Sequence, residues 1–132
     1  PTPGRFANQD VLIVDDEAPI RAILTKRLSA VGFNVHLASN GEQALANAEE
    51  IGSALSLVIL DIAMPGLSGI EIWTQLRKTR AELPIIMSSG HPEEALERLE
   101  GWNPAHDGFI QKPYRNQTLL EEIDSLLNLG ES

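Results

Sequence analysis

Val11-Leu12-Ile13-Val14 and Leu57-Val58-Ile59-Leu60 are apolar at every position. A strand turns successive side chains to opposite faces, so a strand that is apolar throughout needs cover on both. Both runs are too short to stand as helices, and their branched side chains favour extended backbone. Three further runs read as strands: the more mixed Phe33 to Ala38, Pro84-Ile85-Ile86-Met87-Ser88, and the brief Gly108-Phe109-Ile110-Gln111.

Helical stretches fill the intervals. Ala18 to Val31 places Ile20, Ile23, Leu24, Leu28 and Val31 at helical spacing, with Pro19 in the first turn and Gly32 as terminator. Glu42 to Ile51 is alanine-rich and follows the Asn40-Gly41 break. Ile70 to Arg80 turns Ile72, Trp73 and Leu76 inward; Met64 to Gly69 before it is a loop. Pro92 to Leu99 gives a short fourth helix, and Gln117 to Leu129 a last one with Leu119, Leu120, Ile123, Leu126 and Leu127 on one side. Strands and helices in strict alternation predict an α/β fold, a parallel sheet with helices on both faces.

The expected folded unit is residues 10–129. Pro1 to Gln9, with two prolines and a glycine, reads as a linker, and Gly130 to Ser132 as a tail. The chain opens on Pro1 rather than Met, so it is expected to be a segment of something longer. Its formal net charge of −9 disfavours direct contact with nucleic-acid phosphates but suits a site that gathers a hard cation. No apolar run approaches the roughly 20 residues of a membrane span. Cysteine is absent, which excludes disulfides and thiolate chemistry and fits a reducing compartment.

In an open parallel sheet the active crevice lies beyond the carboxyl ends of the strands. The first strand ends in Asp15-Asp16-Glu17, the third in Asp61, the fourth in Ser88-Ser89-Gly90 and the fifth in Gln111-Lys112-Pro113. Acids gathered on one edge repel one another, and a hard divalent cation with oxygen ligands relieves that repulsion. Mg2+ suits best, with Mn2+ as a substitute. Asp16 and Asp61 are expected as carboxylate ligands, Asp15 close by, and the Ala63 backbone carbonyl as a neutral oxygen. A carboxylate so placed can also be a nucleophile toward phosphorus. Lys112 and the Ser89 hydroxyl would then support the charge on the phosphoryl oxygens.

Each residue also has a plainer reading. Asp15-Asp16 can cap the first helix, Asp61 can be a turn residue, Ser89 can cap the helix after it, and Lys112 can be a surface lysine. Their joint placement at strand ends favours the site. Trp73 reads as core and Trp102 as partly exposed. His36 and His106 have no metal-ligand spacing between them.

Taken together, Asp15-Asp16, Asp61, Met64-Pro65-Gly66 with Gly69, Pro84 leading to Ser89-Gly90, and Phe109 before Lys112-Pro113 resemble the response-regulator receiver family over residues 10–129. The resemblance implies a flavodoxin-like doubly wound sheet of five strands in the order 2-1-3-4-5. It implies that Asp61 accepts the phosphoryl group, that Asp15 and Asp16 are the acidic metal pair, and that Ser89 and Lys112 are the hydroxyl and charge partners. Pro113 resembles the family's cis-proline, and Ser89 with Phe109 the switch pair. Phe109 stands where many relatives carry tyrosine, which removes a hydroxyl contact at the output surface. Ala63 and His91 resemble the positions that tune phosphate lifetime, so His91→Ala is expected to change that lifetime.

The resemblance further implies a cytoplasmic signalling domain, not a conventional enzyme, that catalyses its own phosphorylation and dephosphorylation. Its donor would be a histidine kinase or a histidine phosphotransfer protein, docked near Pro19, Ala22, Pro113 and Tyr114. A phosphorylation-dependent homodimer is compatible with it. The ending Phe109 to Tyr114 resembles receivers at the C-terminus of hybrid sensor histidine kinases, so the parent is expected to be such a kinase, membrane-anchored or not; a free-standing or larger regulator is the alternative. Three competitors fit less well. A haloacid-dehalogenase-like phosphatase needs a second acid where Ala63 stands. A flavin carrier needs a phosphate-binding loop where Asp15-Asp16-Glu17 would repel one. A degenerate docking receiver would lack one of the acids or the lysine.

Overall fold

The computed structural model describes residues 6–64, 66, 68–90 and 99–127. Five parallel strands form one sheet in the order β2-β1-β3-β4-β5: β1 Asp10–Val14, β2 Asn34–Ala38, β3 Leu55–Asp61, β4 Ile85–Ser89 and β5 Asp107–Gln111. The described helices are α1 Ala18–Ala30, α2 Gly41–Ile51, α3 Gly69–Thr79 and α4 Asn116–Leu127, with a 3-10 turn at Gly52–Ala54. The expected fold class and strand order are those observed.

Alternation along the central strands builds two separate cores. Leu12, Val14, Val58, Leu60, Ile85 and Met87 point to one face and pack with Ala44 and Ala48 of α2 and Ile72, Trp73 and Leu76 of α3. Val11, Ile13, Leu57, Ile59 and Ile86 point to the other and meet Leu24 and Leu28 of α1 and Leu119, Ile123 and Leu126 of α4. This is the two-sided cover that the uniformly apolar runs require.

Local chemistry sets the helix ends. Asn40 accepts a hydrogen bond from the Gln43 N–H at the start of α2. Ser68 and Glu71 form a reciprocal capping box at the start of α3. The far end of α2 is closed from outside the helix: Arg80 donates to the Gly52 carbonyl at 2.8 Å and the Ala48 carbonyl at 2.6 Å.

Two expectations need adjusting. The first concerns the expected linker, because packing begins at Phe6 rather than at residue 10. Phe6 is 4% exposed, stacks on Phe33 with ring centroids 4.7 Å apart, and donates its N–H to the Val31 carbonyl. Nearby Pro and Gly signalled a linker, but burial of one aromatic ring outweighs them, stabilising by about 1.5–3 kcal/mol. The second is Ile23, which is 46% exposed despite its helical spacing; only Leu24 and Leu28 of α1 are buried. Trp102 is partly exposed, as expected, and packs against Trp73, whose indole N–H donates to buried Asp107 at 2.8 Å. Asp107 also takes the Arg77 guanidinium at 2.5 Å and the Asn103 N–H at 2.9 Å, which ties α3 to β5. The helix expected over Pro92 to Leu99, all but its last residue, and His91 before it lie outside the described residues, as do 1–5 and 128–132.

Candidate functional site

The sheet order reverses around β1 and β3, since β2 lies to one side of β1 while β4 and β5 lie beyond β3. The crevice at that reversal opens at the carboxyl ends of the strands. There the structure brings Asp15 and Asp16, just after β1, together with Asp61, the last residue of β3. One carboxylate oxygen from each lies within 4.8 Å of the others. Asp15 and Asp61 are buried and Asp16 is exposed.

Lys112 reaches in from the end of β5. Its Nζ lies 3.1 Å from Asp15 Oδ2, 3.5 Å from Asp61 Oδ2 and 3.8 Å from Glu17 Oε2. Its backbone N–H donates to the Ser89 carbonyl at 2.8 Å, and the Lys112–Pro113 peptide bond is cis. Ser89 is buried and closes β4, one residue beyond Ser88, which pairs in register with Asp61. Phe109, in register with Met87, is half-buried against the core shared with α2 and α3.

The Asp61 loop is held closely. Asp61 Oδ1 accepts from the Ala63 N–H at 3.1 Å. The Gly69 N–H donates to the Ile62 carbonyl at 3.1 Å, and no Cβ fits at Gly69 against the Asp61 backbone. The Asp15-Asp16 turn does not cap α1 by a side-chain bond. Glu17 is the N-cap residue, without a side-chain cap hydrogen bond, and Asp15 Oδ1 accepts the Glu17 N–H at 2.9 Å.

Charge and burial oppose each other here. Burial pushes the Asp61 carboxyl above the ordinary carboxylate value; the Lys112 charge and the Ala63 N–H pull it down, and Asp15 pushes it further up, leaving it raised. Burial acts to lower the Lys112 pKa, but the Asp15 hydrogen bond and the charges of Asp15 and Asp61 outweigh it, so the ammonium is held charged. A donor set of three carboxylates, two of them desolvated, fits a small hard cation better than any soft metal.

One site residue carries no sequence signal. Arg21, in the first turns of α1, donates from Nη1 to the Asp15 backbone carbonyl at 2.6 Å. Glu17, which follows Asp15-Asp16 at the end of the first strand, brings a further carboxylate to 3.8 Å from Lys112 Nζ. His91 lies outside the described residues.

Beside the crevice runs an apolar groove of about 440 Å3 between α1 and the turn after β5, lined by Ile20, Ile23, Leu24, Arg27, Pro113 and Tyr114 together with Lys112. Among the described residues, no helix is long and apolar enough to cross a membrane.

Comparison with known proteins gives a consistent result. The response regulator receiver domain pattern matches residues 11–124. The transcriptional regulatory protein ResD of Bacillus subtilis is 37% identical over 117 residues, which cover 89% of this chain and 47% of ResD. The chain thus spans about half the length of the curated relatives it matches. The response regulator TrrA of Thermotoga maritima, solved in complex with Mg2+ and BeF, superposes with a TM-score of 0.78 at 35% identity, covering 90% of this chain and 99% of that one. The receiver domain of the hybrid histidine kinase CckA superposes with a TM-score of 0.74 at 30% identity, covering 89% and 98%.

Proposed function

This chain belongs to the response regulator receiver family, and from that premise we propose that Asp61 accepts a phosphoryl group from a phosphohistidine donor with the help of Mg2+. The observation that carries the proposal is the single ammonium of Lys112 set between the buried carboxylates of Asp15 and Asp61. Such an arrangement keeps a nucleophilic oxygen and a fixed positive charge in one water-poor crevice.

Asp16, Asp61, Asp15 and the Ala63 carbonyl are the groups that would hold the cation. When bound, it neutralises the carboxylates and the phosphoryl oxygens. TrrA, a relative solved with Mg2+ and BeF, supports the assignment. In the transfer, an Asp61 carboxylate oxygen forms the new bond to phosphorus while the bond from phosphorus to the donor's imidazole nitrogen breaks. The imidazole leaves with the electron pair and takes up a proton from solvent. Lys112 offsets the charge on the phosphoryl oxygens, and the Ser89 hydroxyl donates to one of them. Hydrolysis of the resulting acyl phosphate resets the domain, at a rate tuned by Ala63 and His91.

The α1 groove supports docking of the donor, because it places exposed apolar surface at Ile23 beside the crevice. Phosphorylation shifts a pre-existing equilibrium. Ser89 turns toward the phosphoryl group, Phe109 follows inward, and the surface of β5 and α4 changes for its partner, a second copy included. Two parent architectures have support: a hybrid kinase, from the likeness to the CckA receiver, and a transcriptional regulator, from the identity with ResD. The coding sequence flanking this segment decides between them.

Incubation with a small-molecule phosphodonor and Mg2+ tests the acceptor. One phosphoryl group is expected by intact mass, mapped to Asp61 and absent from Asp61→Asn. Equal labelling of Asp61→Asn would remove that residue from the role.

A further inference from the structure

We propose that Arg21 is a positioning residue for the cation site: its guanidinium clamps the Asp15–Asp16 peptide and so aims the Asp16 carboxylate. The proposal rests on the cation-assisted reading of the site given above.

Asp15 is fixed at four points. Its N–H donates to the Ala38 carbonyl at 3.1 Å, its Oδ1 accepts from the Glu17 N–H at 2.9 Å, and its Oδ2 accepts from Lys112 at 3.1 Å. The fourth is the 2.6 Å bond from Arg21 Nη1 to its carbonyl. Asp16 is different. It is exposed, and among the described residues no side-chain hydrogen bond or ion pair steadies it. The position of its Cα, from which the carboxylate reaches, is set by the peptide plane that enters it, which is the plane bearing the Asp15 carbonyl. Arg21 holds that plane with a charge-assisted bond and is itself fixed in α1, where its N–H donates to the Glu17 carbonyl at 3.1 Å. The arrangement is that of an outer-shell group orienting a ligand, whose loss typically weakens metal binding by about 10–100-fold.

The sign of the effect separates positioning from charge. A guanidinium beside a cation site repels the incoming cation, so an Arg21 acting by charge alone would weaken binding, and its removal would tighten it. An Arg21 that positions Asp16 has the opposite consequence.

Binding of Mn2+ alone is measured by electron paramagnetic resonance on wild type, Arg21→Ala, Arg21→Lys and Asp16→Asn. Arg21→Ala is expected to bind Mn2+ about tenfold more weakly with unchanged helical circular dichroism. Arg21→Lys, which keeps a donor long enough to reach the carbonyl, retains most of the affinity. Should Arg21→Ala fold poorly, Arg21→Gln, too short to reach, replaces it with the same expected loss. Equal or tighter Mn2+ binding by the folded, truncated variant overturns the proposal. If wild type binds no Mn2+, or Asp16→Asn binds as well as wild type, the reading of the cation site falls and this inference with it.

Discussion

A methyl group on Gly69 would lie 2.5 Å from the backbone oxygen of Asp61 and equally close to the Ile62 Cα. Both obstacles are backbone atoms, which cannot rotate away. Gly69→Ala therefore forces the end of β3 and the start of α3 apart. The expected cost is about 1–3 kcal/mol in urea unfolding. Phosphodonor labelling of Asp61 should slow roughly tenfold or more, because small displacements of a reacting group are expensive. Unchanged stability together with an unchanged labelling rate would show that this contact does not hold the site.

Asp107 is buried and takes hydrogen bonds from Trp73, Arg77 and Asn103. Removing its carboxylate leaves the largely buried Arg77 guanidinium with backbone carbonyls but no counter-charge, and Asp107→Ala should cost about 3–5 kcal/mol. Asp107→Asn, which keeps an acceptor for the indole, should cost less. Trp73 and Trp102 are the only tryptophans, so tryptophan fluorescence reports the change directly. An alanine variant as stable as wild type would make the network incidental.

Phe6 lies outside the matched residues 11–124 yet packs into the α1/α4 core. Phe6→Ala should lower the unfolding free energy by about 3–5 kcal/mol, the usual loss for a buried phenylalanine. A loss near zero in denaturant titration would return residues 6–9 to the status of a linker.

Tyr114 is the single tyrosine of the chain, so phenolate absorbance reads it alone. Burial raises its pKa, with Lys112 and Arg27 acting against the rise and Asp15 and Asp61 with it. The folded protein should ionise above the ordinary value of about 10. A raised folded pKa means that the native state holds the proton where the unfolded chain has lost it. Its stabilising contribution is complete below the unfolded value and is lost as pH rises through the folded one. A native titration midpoint at or below that of the urea-unfolded chain would contradict the burial.

Much of the site was legible because each of its residues closes a strand. Asp15, Asp61, Ser89 and Lys112 are separated widely along the chain, but a parallel sheet carries every strand end to the same edge. The two uniformly apolar runs likewise announced cover on both sides. What escaped the sequence are side chains that reach backbone atoms of another segment. Arg21 on the Asp15 carbonyl and Arg80 on the end of α2 leave no periodic or compositional mark. Phe6 and Ile23 escaped for a related reason. Their burial depends on which neighbour lies above them, Phe33 in one case and open groove in the other. Helical spacing alone does not decide that.

The alternation of β3 between two cores also governs how this chain can change over time. Losing one residue from Leu57-Val58-Ile59-Leu60 would exchange the side chains meant for α1 and α4 with those meant for α2 and α3, and would draw Asp61 back from the crevice mouth. No half-measure is available to such a strand. Gains and losses of length are confined to the connections between elements, and the central strands are left to drift only by exchange of one apolar side chain for another of similar bulk.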